Sequence, residues 1–185
     1  MSGTRMRRNL MGAAVLAAPV FLFGAAAPAA AEEAVCASIG RAVHAMAASE
    51  KFHSKLEART PGRRRPVQEE RFVLGDLVYA NSPAAGRWVK LHLTEEDRKG
   101  LETGLLAHPP QDCREEARQE IGGVPVRVFA YRQAMTGQDE AKVAESRLWV
   151  AEADGRPRRY EGRYGGVAVS VVYDYERVTP PFELQ

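Results

Sequence analysis

The sequence predicts an α+β fold: a strongly curved antiparallel sheet, an incomplete β-barrel, with an N-terminal helix and an inserted helix against its concave face. Three observations predict it. Segments in which apolar and polar residues alternate dominate the chain after Lys51, which is the pattern of strands with one buried face. Pairs suited to tight hairpin turns separate these segments, at Gly75-Asp76, Gly122-Gly123, Asp154-Gly155 and Gly165-Gly166. Two stretches instead carry helical signals, one before the strands and one among them. A meander of about nine twisted strands tends to curl rather than stay flat.

The elements follow in order. From Ala34 to Ser49, Val35, Ile39, Val43 and Met46 recur at helical spacing, giving one buried stripe. Phe52, Ser54, Leu56 and Ala58 then alternate with His53, Lys55 and Glu57 as a strand with one wet face. "TPGRRRP" is a loop, and "VQEERFVLG", "DLVYA" and "RWVKLHL" are consecutive antiparallel strands. Thr94 reads as a helix N-cap with Asp97 three residues on, and Glu95 and Glu96 sit where the helix dipole favours anions. That helix carries Leu101, Leu105 and Leu106 and stops before Pro109-Pro110. "CREEARQEI" and "VPVRVFAYRQA" form a hairpin about Gly122-Gly123. After the loop "TGQDE" come "KVAESRLWVA", "RPRRYEGRY" and "VAVSVVYDYERV", and Pro180-Pro181 opens a short extended tail.

The first 31 residues have a different purpose. Arg5, Arg7 and Arg8 precede the apolar run Met11–Phe23, which is too short to span a bilayer, and Ala29-Ala30-Ala31 supplies a small-residue cleavage site. Residues 1–31 therefore read as a cleavable export signal and 32–185 as a single domain, soluble in the periplasm or, as the lesser alternative, secreted, and monomeric. Arg7-Arg8 leaves twin-arginine export open beside the general route. Glu33 and Val35 fit badly with a lipid-attachment motif at Cys36. Three of the 26 Lys and Arg residues leave with the signal, against 24 acidic residues that remain, so the mature balance is −1 and no net pull toward nucleic acid survives. The two cysteines, Cys36 and Cys113, are expected to form a disulfide in an oxidising compartment, stabilising by roughly 4 kcal/mol in the chain-entropy description.

Several local motifs are similar to those of the LolA-like superfamily of envelope half-barrels: "FHSKLEA", "VLGDLVYANSPAAGRWVKL", "GVPVRVFAY", and "RLWVAEADGRPRRYEGRY" followed by "VVYDYERV". The resemblance covers most of the chain after residue 31. It implies helices over the concave side of an open barrel. The family includes lipoprotein carriers, lipid or glycolipid binders and sensor domains acting through protein contacts, and the fold does not choose among them.

No catalytic pattern stands out. His44, His53, His92 and His108 occupy different elements without metal-ligand spacing, no serine sits in a Gly-x-Ser-x-Gly elbow, and the carboxylates occur in solvated runs. No cofactor or metal is expected, and the chain is read as a non-enzyme. "PGRRRP" fits a solvated loop better than an anion site. The apolar alternation instead assigns a ligand face of Phe72, Leu74, Leu77, Tyr79, Val89, Leu91, Val128, Leu148, Val150, Val169, Val171 and Tyr173. Either a packed core or a lipid-sized hollow satisfies this pattern. The expected ligand is apolar, such as an acyl chain or a lipoprotein. The alternative is an envelope protein partner met through the convex sheet or loops, with Arg87, Trp88 and the arginines of residues 146–164 as contacts and Trp149 as either packing or interface.

Overall fold

The computed structural model describes residues 28–82, 86–106, 108–134 and 143–179. Residues 1–27 of the expected export signal, the loop "TGQDE" and the Pro180-Pro181 tail lie outside the described residues. The helix α1 (Pro28–Ala47) is followed by β1 (Lys51–Arg59), β2 (Val67–Leu74), β3 (Leu77–Ser82) and β4 (Arg87–His92). Then come α2 (Glu95–Leu106), β5 (Gln111–Glu115), β6 (Gln119–Ile121), β7 (Val124–Ala134), β8 (Val143–Ala151), β9 (Pro157–Tyr164) and β10 (Val167–Asp174).

All ten strands belong to one open antiparallel sheet, in the order β4-β3-β2-β1-β10-β9-β8-β7-β5, with β6 also on β7. Hairpins account for most neighbours. Besides β5 with β7, which have β6 between them in sequence, the exception is β1 with β10, the first and last strands, which pair from His53↔Asp174 to Arg59↔Ala168 and lie inside the sheet rather than at its edges. This non-local pair joins two meanders into one surface. Ten strands replace the nine expected because "CREEARQEI" breaks: β5 pairs with one end of β7 and β6 with the other, around the Gly122-Gly123 turn.

The break in β5 has a purpose in packing. Its register shifts between Gln111 and Arg114, and Asp112 takes a positive φ of 53°. Aspartate is one of the few residues with a side chain that tolerates that conformation. Cys113 is thereby buried under α1 and bonded to Cys36, with the two Cα atoms 5.3 Å apart. The disulfide thus ties the N-terminal helix to an edge strand.

The alanine-rich sequence of α1 favours helix, and its buried side presents Val35, Cys36, Ile39 and Ala42 to β5, β7 and β9. It begins six residues earlier than the periodicity suggested, at Pro28. The second helix rests against α1, and its start is fixed by Thr94 and Asp97. The Asp97 amide donates to Thr94 Oγ1 at 3.1 Å, and the Thr94 amide donates to Asp97 Oδ2 at 2.9 Å. These reciprocal bonds satisfy amides that the helix itself cannot. The Arg98 guanidinium donates to the Gly75 carbonyl, holding the start of α2 to the β2–β3 turn.

Candidate functional site

Residues paired across an antiparallel ladder share a face, so the register divides the whole sheet into two surfaces. One is the helix face. It carries Phe129 and Tyr131 on β7, Leu148 and Val150 on β8, Tyr160 on β9, and Val169, Val171 and Tyr173 on β10. Across the β1–β10 pair it continues through Phe52 and Leu56 to Val73, Val78, Val89 and Leu91.

Seven of the expected ligand-face residues lie on this surface: Val89, Leu91, Leu148, Val150, Val169, Val171 and Tyr173. The other five do not. Phe72 pairs with His53 and Tyr79, Leu74 pairs with Leu77, and Val128 pairs with Trp149, so Phe72, Leu74, Leu77, Tyr79 and Val128 all stand on the opposite, outer face. The physical reason is that β2, β3 and β7 are apolar at both parities. Val73, Val78, Phe129 and Tyr131 are the helix-face residues that the alternation passed over, and all four are buried. Only pairing with β1 or β8, whose faces are less ambiguous, assigns them.

The helix face has two unlike halves. Under α1, Ile39, Ala42, Cys113, Phe129, Tyr131, Leu148 and Val150 form one buried cluster, with Val35, Cys36 and Tyr160 packed at its margin. The half formed by β1–β4 and β10 is apolar but less covered: Leu56, Val89 and Val169 are half-buried and Leu91 is 53 % exposed. Its charges are Glu69 and Arg71, which pair with each other, and the exposed Arg87 on the edge strand β4, in register with Ser82.

Tyrosines mark the boundary between these halves. A side chain at Gly162 would run into the Tyr160 ring, which lies across that glycine, and the two hydroxyls of Tyr160 and Ser146 are 3.2 Å apart. Burial disfavours the phenolate of each tyrosine in the row. It raises Tyr173 to about 12, with the nearby Tyr160 acting in the same direction. Burial likewise raises Tyr131, Tyr160 and Tyr175 above their ordinary value. At the end of the row Phe52 meets Tyr173 and Tyr175 with ring centroids 6.3 and 6.0 Å apart. The guanidiniums of Arg156 and Arg158 lie 4.4 and 5.1 Å from the Tyr175 ring centre, and both bond to Asp154. Burial opposes ionisation of Asp154, but hydrogen bonds from Arg156 and the charges of both arginines outweigh it and lower its pKa.

The outer face has its own small core of Val126, Val128 and Trp149, with Ile121 and Val124 against it. Trp149 is 7 % exposed, its indole N–H donates to Gln119 Oε1 at 3.0 Å, and Arg159 stacks over it. It packs the molecule together. Further along, His53 stacks on Phe72 at 4.1 Å and bonds to Glu70, and Trp88 tilts against the same ring at 5.7 Å. A hollow of about 500 Å³ lies on this face, with a floor of Ala130, Ala168 and Ser170 and walls of arginine and glutamate. Among the described residues no three His, Cys, Asp or Glu side chains gather at a spacing that would hold a metal ion, and no helix is long and apolar enough to cross a membrane.

No family model matches the chain, and no curated protein matches it. Solved structures do. The lipoprotein LppX of Mycobacterium tuberculosis shares 12 % identity at a TM-score of 0.49, over 80 % of this chain and 98 % of that one. LprF from Mycobacterium bovis shares 11 % identity at 0.49, over 81 % and 97 % of the two chains. A putative outer membrane lipoprotein-sorting protein domain from Vibrio parahaemolyticus shares 8 % identity at 0.30, over 81 % and 95 %. The chain's own topology, an N-terminal helix over one face of an open antiparallel sheet, agrees with the α+β fold class expected from the sequence.

Proposed function

We propose that this protein holds an apolar ligand, an acyl chain or the lipid portion of a lipoprotein, on the β1–β4 and β10 half of its helix face, without catalysis. One observation carries the reading: α1 and the disulfide fill one half of that face with packed side chains, while the other half keeps Leu56, Val89, Leu91 and Val169 incompletely covered. A face that is mostly apolar with a few polar groups suits such a ligand. Here the polar groups include the Glu69 and Arg71 pair, Ser54, Arg87 and the Tyr173 hydroxyl. Removal of residues 1–31 on export would deliver the remaining chain as one domain to the periplasm, where the Cys36–Cys113 bond is stable. That cleavage would also remove the first four residues of α1.

Native mass spectrometry of the protein purified from its own envelope tests the reading. Bound lipid mass that is lost on substituting Val169→Trp supports it, and a ligand-free protein that also fails to take up a fluorescent fatty acid contradicts it. Contact with an envelope protein or sensing through the outer face is the second reading, supported by Val172, an apolar residue 48 % exposed in the middle of that sheet. Crosslinking from envelope extracts at position 172 would separate the two.

A further inference from the structure

The register reveals a charge pattern that the linear sequence hides. Arg59 pairs with Ala168, Ala168 with Arg163, Arg163 with Glu145 and Glu145 with Arg132, so one outer-face row across β1, β10, β9, β8 and β7 carries three arginines and one glutamate. This row borders the outer-face hollow. It also lies at the strand end from which the β1–β2 loop emerges, bearing Arg63, Arg64 and Arg65, all exposed. That loop abuts the β9–β10 turn: a side chain at Gly166 would stand 3.3 Å from the Pro61 ring.

These cations are poorly neutralised. Arg59 pairs with Glu57 and Arg132 with Asp112, but Arg63, Arg64, Arg65 and Arg163 have no acidic partner among the described residues. The opposite strand end carries Asp76, Glu95, Glu96, Asp97, Glu152, Asp154, Asp174 and Glu176 in and beside its turns and in the start of α2, against Arg98, Lys99, Arg156, Arg158 and Arg177. Among the described residues the excess of cations at one strand end and of anions at the other polarises the sheet along its strands, which orients it in an electric field even when net attraction is small.

We propose that this basic strand end is a docking surface for the anionic phospholipid headgroups of a bilayer. The span of the row selects this partner. Arg59 and Arg132 stand four strand spacings apart, about 19 Å at ~4.8 Å per strand, which is too wide for one small anion and suits an array of phosphates. Guanidinium groups bind phosphate oxygens through paired hydrogen bonds. The inference does not depend on an apolar ligand, since it uses other residues and a different end of the sheet.

Flotation with vesicles tests it, using phosphatidylglycerol mixed into phosphatidylcholine against phosphatidylcholine alone, at low and at high salt. The wild-type protein should float with the anionic vesicles only, and salt should release it. The triple change Arg63→Gln, Arg64→Gln and Arg65→Gln should weaken binding by roughly a hundredfold, and Arg163→Gln by about fivefold. Arg177→Gln, at the acidic end, should leave binding unchanged. Circular dichroism and fatty-acid uptake of the triple variant should match wild type, which separates this docking from ligand binding on the helix face. Equal binding to both vesicle types, full binding by the triple variant, or complete displacement by modest inorganic phosphate would overturn the proposal.

Discussion

The two halves of the helix face differ in what completes them. Under α1, the sheet receives a helix pinned by a disulfide, and Phe129, Leu148 and Val150 meet Ile39 and Ala42 in a continuous cluster. On the β1–β4 and β10 side the sheet presents similar residue types, yet Val169 and Leu56 are only half-buried and Leu91 is largely open. Similar side chains thus stand in two settings: in one half they stabilise the fold, and in the other they leave apolar surface incompletely covered. The contrast implies that substitutions in the first half lower stability, whereas those in the second change binding.

The largest expected effect is in the filled half. Phe129→Ala removes a ring that is 1 % exposed and should cost about 3–5 kcal/mol, measurable by urea denaturation. Replacing both cysteines by serine should cost roughly 2–5 kcal/mol and loosen α1 first, visible as faster amide exchange in that helix than in β8. A loss shared evenly by the whole molecule would instead show that α1 and the sheet unfold as one unit.

Alkaline pH offers a third test of the boundary between the halves. Tyr173 is raised to about 12 in the folded chain and returns to about 10 on unfolding. Between those values the unfolded chain loses its phenolic proton while the folded chain retains it. The stability contributed is complete below pH ~10 and is lost as pH rises toward ~12. Tyr173→Phe should flatten that decline, and unaltered pH dependence in the variant would show that Tyr173 is not the group responsible. A smaller effect belongs to the outer face, where Trp149→Phe loses the bond to Gln119 and should cost about 1 kcal/mol. In the open half, Leu91→Ser should alter stability by less than about 0.5 kcal/mol while weakening fatty-acid uptake, in keeping with its exposure.

Local chemistry made much of this architecture readable in the chain. Gly75-Asp76, Gly122-Gly123 and Gly165-Gly166 form the expected two-residue turns, whereas Asp154-Gly155 lies in a five-residue loop, 152–156, between β8 and β9; the reciprocal bonds of Thr94 and Asp97 start α2, and Cys36 bonds Cys113. What escaped was non-local. No local signal places β1 beside β10, and without that pair the arginines of β1, β9 and β7 do not line up as a row. Face assignment failed where both parities are apolar, as in "VRVFAY", because burial on both sides of a strand erases the period-2 pattern. The bulge that turns Cys113 toward α1 rests on one residue, Asp112, whose positive φ has no sequence marker beyond its being an aspartate.

A spin-labelled fatty acid, followed by NMR, tests the division between the halves most directly. If the β1–β4 and β10 half holds the acyl chain, the label should broaden the amide signals of Leu56, Val89, Leu91 and Val169 and leave those of Ala42, Phe129 and Leu148 sharp. Broadening centred on Phe129 and Leu148, or none at saturating label, would contradict the account.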